Sequence, residues 1–280
     1  MESSCSYLLL LCHEELFTST TTSSSPKPPS FKLHCSLEEE HSVVKEDSVQ
    51  ENCSHFFQNY LQREQNCTTT NCDKYALLLR SSTCFCKARF RGVQWMLLVI
   101  LVAGGLRLSL GLKTIFAAVN YFDRFLSLSR PTRQWQTWMA ELIAIACLSI
   151  ASKFEEVCQP TFDEYQMKDL ETEKKFDPDT IKEMELLVLK ALDWKLYCVT
   201  SYSYAELLSG HLSAALMARA TDLLIHTLLD TKFIEHNPSV VAVSVLRYAV
   251  KEIDPMRLDV SFTFFDPLIP EESKVNFFII

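Results

Sequence analysis

One long apolar stretch of this 280-residue chain ends in an abrupt charged tip. Leu142–Ile150 is apolar on nearly every face, and Lys153, Glu155 and Glu156 follow it, with Phe154 between them. A helix that is apolar all round belongs at the centre of a bundle, not on its surface. Charges delivered to the surface at one end of such a helix make a contact surface for another molecule. A second candidate lies near the N-terminus, where Leu10, Cys12 and Glu14 alternate as Leu-x-Cys-x-Glu. In an extended peptide alternate side chains point the same way. Leu10 and Cys12 would fill apolar pockets of a partner and Glu14 would meet donors at their edge. The backbone would pair with the partner, as in other short extended ligands. Three fixed residues recur in unrelated chains, so this spacing alone does not separate a docking element from coincidence.

Catalytic chemistry finds little support. The sequence contains no Gly-rich phosphate loop, no Gly-x-Ser-x-Gly elbow and no His-Glu-x-x-His. Cys84-x-Cys86 with Cys67 and Cys72 is the best metal candidate, but the spacing is not that of a zinc finger and no histidine follows suitably. No metal and no cofactor is expected. The cysteines number 11, which is odd, and they show no disulfide framework. Cys147 and Cys198 sit within apolar patterns and read as small buried hydrophobes. A reducing, intracellular compartment follows. The net charge of −8 argues against direct nucleic-acid binding. The first charge is Glu2, and Tyr7–Cys12 is too short for the apolar region of a secretory signal. Trp95–Leu106 is the most membrane-like segment, and Arg107 and Lys113 cut it below spanning length. It reads as a core helix, with no membrane partner.

The elements that must position the charged tip are helical. Leu112, Ile115, Phe116, Val119, Phe122, Phe125 and Leu126 fall at helical spacing, and Pro131 stops the run. Helices are expected over Phe85–Leu106, Leu112–Leu128, Trp135–Glu156, Phe162–Lys168 and Pro178–Leu192. Thr161 with Glu164 forms a capping box. Asp177 caps a helix that has Pro178 at its first position. Ser203 with Glu206 suggests another capping box, and Gly210 ends that helix. Leu212–Leu229 is amphipathic, and Asn237-Pro238 opens a helix through Val240–Val250. Only 5 glycines are present and no alternating strand pattern appears, so the fold class is all-α. Thr18–Ser30 is built of Thr, Ser and Pro with one Lys, and Leu37–Asn52 is acidic. Neither can build a core, so residues 1–54 are expected to be a disordered tail, with order beginning near His55.

AVNYFDRFLS (Ala118–Ser127) followed by LSIASKFEE (Leu148–Glu156) resembles the cyclin box of plant D-type cyclins. WKLYCVTSYSYAELL (Trp194–Leu208) resembles the junction between the two cyclin folds, and FIEHNPSVVAVSVLRYAV (Phe233–Val250) resembles a later helix pair. The resemblance implies tandem five-helix folds: a first over residues 55–195, a partial second over 196–254, and an atypical tail over 255–280. It implies a non-catalytic regulatory subunit that binds and activates a cyclin-dependent kinase at the G1/S transition, in the nucleus and also the cytoplasm. By that likeness Lys153 and Glu185 contact the kinase beside its regulatory helix, with Phe154, Glu155 and Glu156 flanking them. Leu10, Cys12 and Glu14 then become the element that binds a retinoblastoma-related protein. Asp123 and Arg124 read as structural charges, in an intradomain ion pair or helix-end bond.

The chain departs from the family at three places. In many cyclins the helix beginning near Arg89 forms a docking groove for substrates and cyclin-dependent kinase inhibitors. Trp95 is kept, but Arg91 and Gly92 stand where apolar residues are usual, which weakens that groove. Arg89 matches the family's basic residue and would tie the helices together. Residues 96–117 are longer and more apolar than the family pattern, and would overpack the first two helices. After Asp254 the helical pattern stops. Two alternatives follow: an incomplete or mis-spliced cyclin that binds weakly without activating kinase, and a cyclin-fold transcription factor. The second would need basic surfaces that the charge balance does not supply.

Overall fold

A computed structural model describes residues 46–67, 72–103, 110–129, 136–166, 174–209 and 212–253. Among these, ten α-helices and one 3-10 turn follow one another, with no strand. Helix α1 spans Glu46–Cys67, α2 Cys72–Ser81, α3 Thr83–Ala103, α4 Leu112–Leu128 and α5 Thr137–Glu155. The short α6 spans Phe162–Tyr165 and α7 spans Pro178–Ala191. Then come α8 Ser201–Leu208, α9 Ala214–Leu229, the 3-10 turn Thr231–Glu235 and α10 Pro238–Ile253.

Helix α5 is the axis of the first fold. Its residues from Met139 to Ser152 are all buried, and it packs on α3, α4 and α7. By length and composition it is the one helix among the described residues long and apolar enough to cross a membrane. Here neighbouring helices cover it instead. Its Glu141, wholly buried, is held by Arg91 of α3 at 3.2 Å. Helix α4 buries Ile115, Phe116, Val119, Phe122, Phe125 and Leu126, the stripe expected from their spacing. The capping box at Thr161 and Glu164 forms, as does the Asp177 cap ahead of Pro178.

Three features differ from expectation. The first helix starts at Glu46, within the acidic segment expected to be solvated; residues 46–54 contain neither Gly nor Pro to break it. Helix α2 was not anticipated and occupies the cysteine-flanked segment; it buries Tyr75, Ala76 and Leu79. Helix α8 begins earlier than the Ser203 cap implied. Thr200 is its cap, and Ser203 is the reciprocating third residue of that box. The apolar extension of α3 is helical as far as Ala103, in keeping with the core helix expected over Phe85–Leu106, and Met96 and Val99 are fully buried. The segments 104–109 and 254–280, Pro131 and Gly210 lie outside the described residues.

A second core gathers α8, α9 and α10 around Tyr204, Leu224, Val245 and Leu246. Helix α1 joins this second core, to which it contributes Phe57, with Tyr60 and Leu61 against it. Its Glu64 reaches the start of α10. One Glu64 oxygen accepts from Tyr204 Oη at 2.7 Å and from the Ser239 backbone N–H at 3.0 Å; the other accepts from Ser239 Oγ at 2.9 Å. A carboxylate thus caps the N-terminus of α10 from another helix, where donors have no partner within their own helix. Burial raises the Glu64 pKa, and the three hydrogen bonds oppose that rise. The chain leaves α7 through Asp193 and Trp194, both left-handed (φ 54° and 57°), a turn that is sparsely populated for non-glycine residues.

Candidate functional site

The end of α5 meets the middle of α7, and two of the expected contact residues meet there. Lys153 Nζ donates to both carboxylate oxygens of Glu185, each at 2.6 Å. The Glu185 side chain is only 10% exposed while that of Lys153 is 44% exposed. The pair therefore presents a cation outward, on a carboxylate anchored in the helix interface. The ammonium also stands 5.6 Å from the centre of the Phe162 ring, so α6 steadies it from the far side.

The two glutamates beyond Lys153 are turned to internal work. Glu155 is bonded to Lys113 of α4 at 2.9 Å. Glu156 accepts from the Gly111 backbone N–H at 2.6 Å and from the Thr114 hydroxyl. Gly111 is the cap position of α4 and offers no side-chain bond of its own. Glu156 therefore supplies the cap that α4 lacks, and the tip of α5 fixes the start of α4.

Phe154 is left facing outward, 53% exposed. Leu186, next to Glu185 on α7, is exposed as well, and so is Val157 just past α5. An exposed aromatic and two exposed aliphatics thus neighbour the anchored ion pair along the chain, and protein-binding patches combine such apolar anchors with charges that fix the register. Leu186 and Val157 were not anticipated. Leu186 could have been found as the apolar residue off the buried stripe of Ile181, Met184 and Val188.

Arg89 and Trp95 are not groove residues in this structure. Both are 1% exposed. Arg89 donates from Nε and Nη2 to the two oxygens of Asp123, at 2.8 and 3.0 Å. Tyr75 Oη donates to the same carboxylate at 2.7 Å. Burial alone would lower the Arg89 pKa; Asp123 outweighs it and holds the guanidinium above its usual value. Asp123 thereby ties α2, α3 and α4 together. Arg124 donates to the Lys195 carbonyl at 2.8 Å, tying α4 to the segment that leads into the second fold. Trp95 belongs to the first core, in which α3 packs on α4 and α5.

Leu10, Cys12 and Glu14 lie outside the described residues. Among the described residues no group of three His, Cys, Asp or Glu side chains could hold a metal ion. Cys84 is exposed and Cys86 half-buried.

The family model for the cyclin N-terminal domain matches residues 55–197, just over half of the chain. A putative cyclin-D7-1 of Oryza sativa subsp. japonica is 35% identical over 191 residues, covering 67% of this chain and 55% of that relative. Cyclin-D2-1 of the same organism is 37% identical over 178 residues, covering 62% and 52%. Cyclin-D3-3 of Arabidopsis thaliana is 35% identical over 146 residues, covering 50% and 40%. The matched region thus spans about half the length of these curated relatives. The X-ray structure of a viral cyclin from herpesvirus saimiri superposes with a TM-score of 0.52 at 18% identity, over 72% of this chain and 88% of that one. That likeness concerns the fold.

Proposed function

Because the chain belongs to the cyclin family and groups with its plant D-type members, we propose that it binds a cyclin-dependent protein kinase and activates it at the G1/S transition. Cyclins are regulatory subunits, so the chain is read as non-catalytic. The observation that carries the proposal is the patch at the end of α5: Lys153 clamped to a nearly buried Glu185, with Phe154 and Leu186 exposed beside it.

The kinase has an active and an inactive placement of its regulatory helix. A rigid patch that fits the active placement shifts the population towards it, by no more than the difference in affinity for the two. The active placement completes the kinase's own Lys–Glu pair. Rigidity matters here, since every ordering cost at an interface subtracts from binding. Glu155 and Glu156 act in this reading by holding α4 against α5 beneath the patch. Leu10, Cys12 and Glu14 tether a retinoblastoma-related substrate and raise its concentration near the kinase. The place of action is the nucleus.

Capture of a plant cyclin-dependent kinase by the full chain, followed by a kinase assay on a retinoblastoma-related substrate, tests the proposal. Capture with phosphorylation supports it. Capture without phosphorylation favours a binding but non-activating cyclin, and no capture contradicts it.

A further inference from the structure

Lys153 is held by more than its ion pair. Its ammonium stands over the Phe162 ring, 5.6 Å from the ring centre, within the distance at which a cation is attracted to an aromatic face. Phe162 is only partly buried and packs at the edge of the first core. It belongs to α6, a single turn of four residues. A helix that short has little stability of its own, yet this one is fastened at both ends. Thr161 and Glu164 close the capping box at its start. At its end, Tyr165 Oη lies 2.6 Å from Ser152 Oγ, a buried hydroxyl pair that joins α6 to α5 at the residue before Lys153. Gln166 follows; its side chain accepts from the Phe176 N–H at 2.6 Å and donates to the Phe176 carbonyl at 3.0 Å. Phe176 directly precedes Asp177, the cap of α7, the helix that carries Glu185. The turn bearing the ring is thus tied to both helices that supply the ion pair.

Glu185 alone does not fix the lysine. The lysine stem is a flexible chain of four carbons, and several of its rotamers can bring the ammonium to one carboxylate. Two of the three ammonium donors are spent on Glu185, so the direction of the third depends on where the stem lies. Phe162 supplies a second fixed point. Its ring attracts the charge and disfavours rotamers that turn the ammonium away from α6. A leucine would fill similar space without attracting a cation.

We propose that Phe162 is a positioning residue of the kinase-binding site: its ring selects the Lys153 rotamer that the kinase meets. Less ordering is then left to occur on binding, and the contact strengthens as the kinase removes water from the pair. This inference rests on the kinase reading of the α5 tip.

The test compares the full wild-type chain with Phe162→Leu and Phe162→Tyr, each checked for helix content by circular dichroism. Phe162→Met replaces the leucine variant if that one loses helix. The first measurement needs no kinase: the nuclear magnetic resonance signals of the Lys153 ε-methylene protons, assigned by their loss in Lys153→Arg. Atoms above an aromatic face are shielded, so in wild type these protons should lie upfield of those of the other exposed lysines. Phe162→Leu should return them to the common position and Phe162→Tyr should keep them upfield. The second measurement is affinity for a plant cyclin-dependent kinase. Phe162→Leu should bind about fivefold more weakly, the factor that one cation–π contact implies, while Phe162→Tyr should bind like wild type. Lys153 protons at the common position in wild type, equal affinity of Phe162→Leu and wild type, or equal losses in the leucine and tyrosine variants would each overturn the positioning role. A wild-type chain that binds no kinase would overturn the kinase reading and this inference with it; wild type and Phe162→Leu binding alike would overturn this inference alone.

Discussion

Asp123 shows how one side chain can be misjudged if only its exposure to a partner is asked about. It accepts two bonds from Arg89 and one from Tyr75, so its charge is spent inside the molecule. Removing that charge strands a buried guanidinium, which typically destabilises by about 3–5 kcal/mol. Asp123→Asn should therefore lower the unfolding free energy by an amount in that range, read as a lower urea midpoint with little change in the denaturant slope. A shift under about 1 kcal/mol would mean that Arg89 finds another partner. The same contrast runs through the α5 tip. Lys153, Glu155 and Glu156 lie within four consecutive residues, yet the structure gives each a different partner. Sequence reasoning reached the tip because an apolar run ends there. It could not assign Glu156 to capping α4, because that contact joins residues 42 apart, and spacing along one helix says nothing about another.

At the scale of elements, helical periodicity and caps carried nearly all the information. The expected Leu112–Leu128 helix matches α4 residue for residue, and the Thr161 and Asp177 caps set the starts of α6 and α7. What escaped was α2 and the Thr200 cap, whose reciprocating third residue is Ser203 rather than the Glu or Gln of the usual box. Gly92 explains a departure that looked like a weakened groove. A β-carbon there would collide with the tip of the Phe122 ring and lie 3.0 Å from both of its Cε atoms. Phe122 is wholly buried and cannot swing away. Helices α3 and α4 thus approach so closely that only glycine fits. Gly92→Ala should destabilise the fold by about 1–3 kcal/mol, the usual penalty of overpacking, measured by chemical denaturation. Unchanged or raised stability would show that the two helices can part without loss.

The whole molecule is two helical cores joined by directed bonds. Tyr121 donates to the Leu196 carbonyl at 2.8 Å, Phe116 stacks on Tyr202 with ring centres 5.3 Å apart, and Arg80 pairs with Glu235. Helix α1 crosses to the second core and caps α10 through Glu64. Such cross-bracing suits a platform that must hold its shape while another protein adjusts to it. The tandem arrangement was legible only through resemblance, because nothing in local periodicity says which core a helix will join. The central claim is that the Lys153–Glu185 pair on this platform is what a kinase reads. Activation of a cyclin-dependent kinase by Lys153→Ala/Glu185→Ala, set beside wild type with helix content confirmed by circular dichroism, tests it most directly. The account predicts full helix content with activation reduced at least about tenfold, the equivalent of about 1.4 kcal/mol; activation equal to wild type would contradict it.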